Sequence, residues 1–277
     1  MNYMGLLWRY VNLLSLDVVF GAMAGQLFFA DVLGVDLPVQ SYLLLGMVVW
    51  ILYTFDHLWD ARKVSHQAHG DRHLFHQRYF KALLFSLLAI TLSGLLMMTF
   101  DKRLHFIFLP GIWLGLPMLF WMGVLRIFEH RLGWLKEVST GLFYVLGIAL
   151  APMVLHSPNY YPSAFYLLGA GYFLLACINL FVLSYMDQKT DNLDGFGSLL
   201  QLISRNQLLG LIRWSGMINA FYLGFLLFQQ PSYYKIHAGV LLLITLYHLQ
   251  LSWQKDARLI RQKLEASFLL PWVLLVF

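Results

Sequence analysis

The 277-residue chain has only fourteen carboxylates, and four of them form two pairs with one spacing. Asp56 and Asp60 stand four apart in the stretch 53–78, YTFDHLWDARKVSHQAHGDRHLFHQR. Asp187 and Asp191 stand four apart in SYMDQKTDNLDGFGSL, with Asp194 three further on and expected on the same face. On a helix an i,i+4 spacing puts both carboxylates on one face. Each pair ends a long apolar run, where an uncompensated carboxylate is expensive and a functional role is the default reading. All-oxygen donors suit Mg²⁺, which keeps several waters and bridges one or two carboxylates to substrate phosphates. The nearby cations Arg62, Lys63, Arg72, Arg78, Lys136, Lys189 and Arg205 could meet those phosphates, arginine with a two-pronged fork. The competing reading is local: the acids cap helix ends and pair with Arg62, Lys63 or Lys189, and each cation reports membrane orientation.

Histidines His66, His69, His73 and His76 crowd the first stretch, and on a helix at least His69 and His73 would align. One such box resembles those of membrane di-iron desaturases and hydroxylases, which hold iron through several boxes of imidazole ligands. Among the remaining histidines, His105, His130, His156, His237 and His248 are scattered singly. A half-solvated basic loop is the expectation for this stretch.

The elements that carry these residues follow from composition. With 60% hydrophobic and 12% charged residues and a mean hydropathy of +0.66, the chain departs from a soluble domain, where about a quarter of residues are charged. It reads as a polytopic membrane protein, since about 20 apolar residues cross a bilayer as a helix. Apolar runs at 6–30, 38–59, 80–100, 104–128, 135–156, 163–186, 207–230 and 237–253 predict eight spans. The tail at 268–277 is shorter than a crossing, so either a ninth helix tilts in from Lys263 or the chain ends inside the membrane. The expected fold is all-α, about nine transmembrane helices around a central cavity in a single domain over 1–277, because no Pro/Ser-rich linker divides it.

The run 6–30 lacks a small-residue cleavage site and is expected to stay as a span. In it Arg9 can snorkel to the interface, while Asp17 should face the bundle interior, hydrogen-bonded to a neighbouring helix or serving a site. Pro110 and Pro117 should kink the fourth span. Cys177, inside an apolar run, gives no disulfide framework.

With the N-terminus inside, all basic residues fall on the acidic-motif side except Lys102, Arg103 and Lys235. By the positive-inside rule the crowded side is cytoplasmic. The net charge of +5 therefore reports orientation, and no nucleic-acid partner is expected.

The order of spans, with one acidic motif after the second and another after the sixth, resembles the UbiA superfamily of intramembrane prenyltransferases. The stretch Asp187-QKT-Asp191-NLD-Gly195-FG-Ser198-Leu199 is similar to the family's second motif. Asp56 and Asp60 match the last two acids of its Asn-Asp-x-x-Asp-x-x-x-Asp, Arg72 falls at the Arg of its Arg-Pro, and Lys136 resembles a basic residue common there. Leu52-Tyr53 replaces the leading Asn-Asp, His73 stands where Pro is expected, and Leu183 takes the place of a small polar residue.

The resemblance implies Mg²⁺-dependent transfer of a prenyl group from an isoprenoid diphosphate donor to a hydrophobic aromatic or lipid acceptor. Asp56, Asp60, Asp187 and Asp191 would be the catalytic metal ligands, with Arg72, Lys136, Lys189 and Arg62 on the diphosphate. The second and sixth spans are then expected to be neighbours. The expected location is a bacterial inner membrane, in contact with membrane lipid, with the N-terminus and acidic motifs cytoplasmic. A non-catalytic binding or transport protein that holds a cation or lipid head group on the same acids is the alternative.

Overall fold

The computed structural model describes residues 3–64, 67–157, 160–194, 197–254 and 257–276, which form helices and no strand. The first apolar run is two helices, not one: α1 (Tyr3–Leu13) and α2 (Leu16–Leu33). Ser15 separates them in the left-handed region with φ 55°, a conformation that costs a non-glycine residue on the order of 1 kcal/mol or more. Apolar periodicity carries no mark of such a break. What holds it is polar: Asn12 Nδ2 donates to the Asp17 carboxylate across the corner at 2.6 Å.

α3 (Val39–Lys63) follows Pro38. Its 25 residues extend about 37 Å, beyond the roughly 30 Å hydrocarbon core, so Asp56 and Asp60 ride on its last turns near the membrane surface. A short helix, α4 (Asp71–Arg78), precedes α5 (Phe80–Phe100) and α6 (His105–Ile127), which contains both Pro110 and Pro117. After a one-turn α7 (Glu129–Leu132) come α8 (Lys136–Leu155) and α9 (Ser163–Asp194). With 32 residues α9 is roughly 48 Å long, and its acids also lie past the apolar stretch.

α10 (Arg205–Gln229) starts with a capping box between Ser204 and Gln207. α11 (Ser232–Leu251) and α12 (Ala257–Ser267) complete the bundle.

Among the described residues seven segments are long and apolar enough to cross a membrane. α11 has the length, 20 residues, but Lys235, His237 and His248 lower its hydropathy. The ninth span expected from the tail does not form: α12 is 11 residues long and leads into a 3-10 segment, Leu270–Val276. Pro271 in that segment cannot donate a helical hydrogen bond.

The core lies around α2, whose Ala22, Ala24, Phe28 and Phe29 are fully buried. α2 packs on α3 and α8, α8 on α9, and α9 on α10 and α11. Lipid is as apolar as leucine, so such contacts rest on close approach and interhelical hydrogen bonds. A Cβ at Gly171 would come within 2.7 Å of Leu223, and Asn219 beside it donates to the Gly171 carbonyl at 3.2 Å and to Thr245 at 3.0 Å. Three helices are tied by that one amide. α6, by contrast, has no buried residue. α3 and α9, expected as neighbours, are not a principal packing pair; each packs on α2 and α8 instead.

Candidate active site

The interval between α3 and α9 is a cavity of about 1270 Å³, and Asp56, Asp60, Asp187 and Asp191 all line it. Lys136, the first residue of α8, is within electrostatic reach of Asp56, Asp60 and Asp191 at once. Both acidic pairs thus act on one space although their helices do not pack together. α8 does the positioning: its buried Glu137 accepts a hydrogen bond from Ser184 of α9 at 2.5 Å and from the Leu199 backbone N–H at 3.0 Å.

Two of the four aspartates are engaged by arginines that sequence spacing does not single out. Asp56 pairs with Arg126 of α6, whose guanidinium lies 5.0 Å over the Trp59 ring, and Asp187 pairs with Arg261 of α12. Arg126 is a cation in the last turn of an apolar span, and Arg261 sits beside the buried Ile260 and Leu264 of an amphipathic turn. Those are the signals that could have marked them.

The other expected phosphate-binding residues divide. Lys136 lines the cavity. Arg62 and Lys189 do not: both are exposed, and Arg62 turns towards the Phe80 ring at 6.0 Å. At i+6 from Asp56, Arg62 is on another side of α3, and Lys189 lies between the two acids of its own motif. Arg72 reaches the cavity wall, but its guanidinium is bonded to Glu265 at 2.9 Å and to the Asn12 carbonyl at 3.0 Å. Asn12 in turn donates to Glu265 and Asp17, so a buried network joins α1, α2, α4 and α12. Asp17 is one of its members, facing the bundle interior as expected.

Asp194 does not share the cavity-facing side of Asp187 and Asp191. It turns to the segment after α3, accepting from the His69 backbone N–H at 3.3 Å, with the His69 ring at 2.9 Å and the His73 ring at 3.6 Å. Burial works to raise its carboxyl pKa, but the His69 and His73 contacts outweigh it and hold the group below the usual carboxylate range. Burial pushes the His73 imidazole down and the His76 imidazole down to about 4. Gln77 closes the turn, accepting from Ala68 N at 2.9 Å and donating to the Ala61 and Val64 carbonyls at 3.2 and 3.3 Å. His66 lies outside the described residues, as do Gly195 and Phe196.

Among the described residues no three His, Cys, Asp or Glu side chains converge as metal ligands. Among those residues no second set of imidazoles gathers for an iron box. The acids fit Mg²⁺ better, because that ion is ordinarily held by one or two carboxylates, with phosphate and water filling the remaining positions.

Two solved structures share this arrangement of helices. They are of a UbiA homolog from Archaeoglobus fulgidus, one bound to GPP and Mg²⁺, the other to DMAPP and Mg²⁺. The first matches with a TM-score of 0.60 over 98% of both chains and the second with 0.57 over 97% of both, each at 14% identity. The chain has the UbiA fold. No family profile matches its sequence, and no curated relative does.

In this UbiA fold Leu52 and Tyr53, at the positions of the motif's missing Asn-Asp, still face the cavity. Tyr53 stacks on His57 with ring centroids 6.2 Å apart, and His57 stacks on His76 at 4.9 Å. An aromatic stack thus stands where the motif has an amide and a carboxylate.

Proposed function

We propose that the chain transfers a prenyl group from an allylic isoprenoid diphosphate to an aromatic or lipid acceptor inside the membrane, with Mg²⁺ as cofactor. The supporting observation is the convergence of Asp56, Asp60, Asp187 and Asp191 on one cavity, with Lys136 acting on both pairs. Six Arg or Lys and seven Asp or Glu side chains line that cavity. A diphosphate therefore gains no net attraction from the side chains alone. Bound Mg²⁺ would supply the missing positive charge and Lewis acidity at the departing diphosphate oxygens.

Asp56 and Asp60 would hold the metal from α3, Asp187 and Asp191 from α9. To do so, Asp56 must release Arg126 and Asp187 must release Arg261. The freed guanidiniums then face the diphosphate, whose oxygens they can grip in pairs. The exchange leaves each charge with a partner before and after binding. Arg72, bonded to Glu265, fixes α12 and with it Arg261. Once the donor C–O bond breaks, the apolar walls keep water from the allylic cation until the acceptor reaches it. The basic-residue count supports a cytoplasmic mouth.

One observation favours the second reading, a membrane binding or transport protein without chemistry. The Asp56–Arg126 and Asp187–Arg261 pairs already neutralise one acid of each motif. The two readings part in an assay of purified protein with DMAPP, GPP and longer diphosphates, aromatic and lipid acceptors, and titrated Mg²⁺. Transfer predicts Mg²⁺-dependent diphosphate release that Asp191→Ala lowers by about 10²–10³, the usual scale for losing an electrostatic stabiliser. If no diphosphate is consumed, and Asp191→Ala retains whatever lipid the parent binds, the second reading takes its place.

A further inference from the structure

Beyond the acids, the cavity has a long apolar arm. Ser41, Leu45, Val48, Leu52, Asp56 and Asp60 line it from a single helix, α3, at steps of three to four residues. The arm therefore follows α3 along its length. The fifteen residues from Asp56 back to Ser41 correspond to about 22 Å. α6 runs antiparallel to it across the cavity: Arg126 is level with Asp56 through their ion pair, and the 3-10 turn Lys102–Leu104 before α6 meets α3 at the opposite end. Gly115 and Gly111 of α6 line the arm. They lie about 16 and 22 Å from the level of Arg126, and a Cβ at either would meet no atom within 4 Å.

An extended chain advances about 1.2 Å per bond. A 22 Å arm thus holds about 18 chain bonds, or between four and five isoprene units at about four bonds each. On the transfer reading this arm is the slot for the donor's hydrocarbon chain; we propose that it accepts about four to five isoprene units and that Gly115 and Gly111 keep it open to that length. The proposal rests on the transfer reading and adds to it the size class of the donor. The diphosphate sits among the acids at one end, and the chain attached to it has this arm to enter. A ten-carbon chain, reaching about 10 Å, would stop short of Gly115. A side chain grown from Gly115 would obstruct only donors longer than about three units, and one from Gly111 only those that reach the far end.

The test is turnover of diphosphates carrying ten to thirty-five carbons, with one acceptor, by the parent and by Gly115→Phe, Gly111→Phe and Leu45→Trp. Leu45 is eleven residues from Asp56 on α3, as Gly115 is from Arg126 on α6, so it sits at the same level of the arm and carries the same reading if Gly115→Phe does not fold. The parent should prefer donors of twenty to twenty-five carbons. Gly115→Phe and Leu45→Trp should lower the ratio of twenty-five-carbon to ten-carbon turnover at least tenfold, and Gly111→Phe by a smaller factor. If the parent turns over every length alike, or the folded variants keep the parent's ratio within twofold, the slot is overturned and transfer stands. A change in acceptor preference with an unchanged donor ratio would also overturn it, since the arm would then hold the acceptor's tail. Absence of turnover at every length removes the transfer reading and this one together.

Discussion

Arg126 and Arg261 do the same job from opposite sides of the cavity, each meeting the first acid of a motif. Their partners lie 70 and 74 residues away in the chain, so no local spacing announces them. The carboxylate pairs were legible in the sequence because i,i+4 is a local relation; the cations they meet were not. Arg62 and Lys189 show the converse, since closeness in sequence suggested a role that the helix turn denies them. Both ion pairs are partly exposed, with side chains between 23% and 31% accessible. Arg261→Gln should therefore cost more than the roughly 1 kcal/mol of a surface pair and less than the roughly 3–5 kcal/mol of a fully buried one. Melting of Arg261→Gln, Asp187→Asn and the double variant gives the coupling directly. If the single costs simply add, the pair contributes nothing as a pair. In the transfer assay Arg261→Gln should also raise the donor KM, which loss of a purely structural contact would not do.

At the scale of elements, the segment between α3 and α5 is held by unlike devices: Gln77 across the turn, Asp194 on His69 and His73, and Arg72 on Glu265. Of the histidines that suggested an iron box, His69, His73 and His76 serve here as packing and hydrogen-bonding groups, and for His69 and His73 that distinction depends on Asp194 of α9, which one stretch of sequence does not contain. His76 is buried, its Nδ1 2.8 Å from the Arg72 carbonyl, and titrates near 4 instead of 6.5. Above pH 6.5 both folded and unfolded chains carry it neutral, and its stabilising effect is complete. As pH falls from 6.5 towards 4, the unfolded chain takes a proton that the folded one refuses, so stability declines across that window by about 3 kcal/mol. His73, shifted the same way, adds to the decline. Melting at pH 7.5 and pH 4.5 should show a clear drop in the parent and a smaller one in His76→Gln; equal drops would assign the acid lability to other groups. The corner at Ser15 and the 3-10 tail were illegible for a related reason. Hydropathy tells where a chain can be apolar, and backbone conformation within an apolar run leaves little trace in it.

For the whole molecule, the all-α bundle and most of its spans were plain from composition, since a bilayer admits few other solutions. Both acidic motifs lie at one end of it, the end where basic residues gather. A membrane-impermeant thiol reagent should reach a cysteine placed at Gln67 from the cytoplasmic side and one placed at Lys102 from the other. Cys177, buried at 4% exposure, should leave little background. Labelling of position 67 from outside would invert the topology and the proposed mouth with it.

α6 has a further bearing on how the protein works. It forms one wall of the cavity, yet none of its residues is buried in protein, so in a bilayer its outer side would rest on acyl chains. The container would then be completed by the bilayer, and its width would follow the lateral pressure of the surrounding lipid. Thick, ordered membranes and thin, fluid ones would give the same polypeptide different interiors, and a detergent micelle would give it a third.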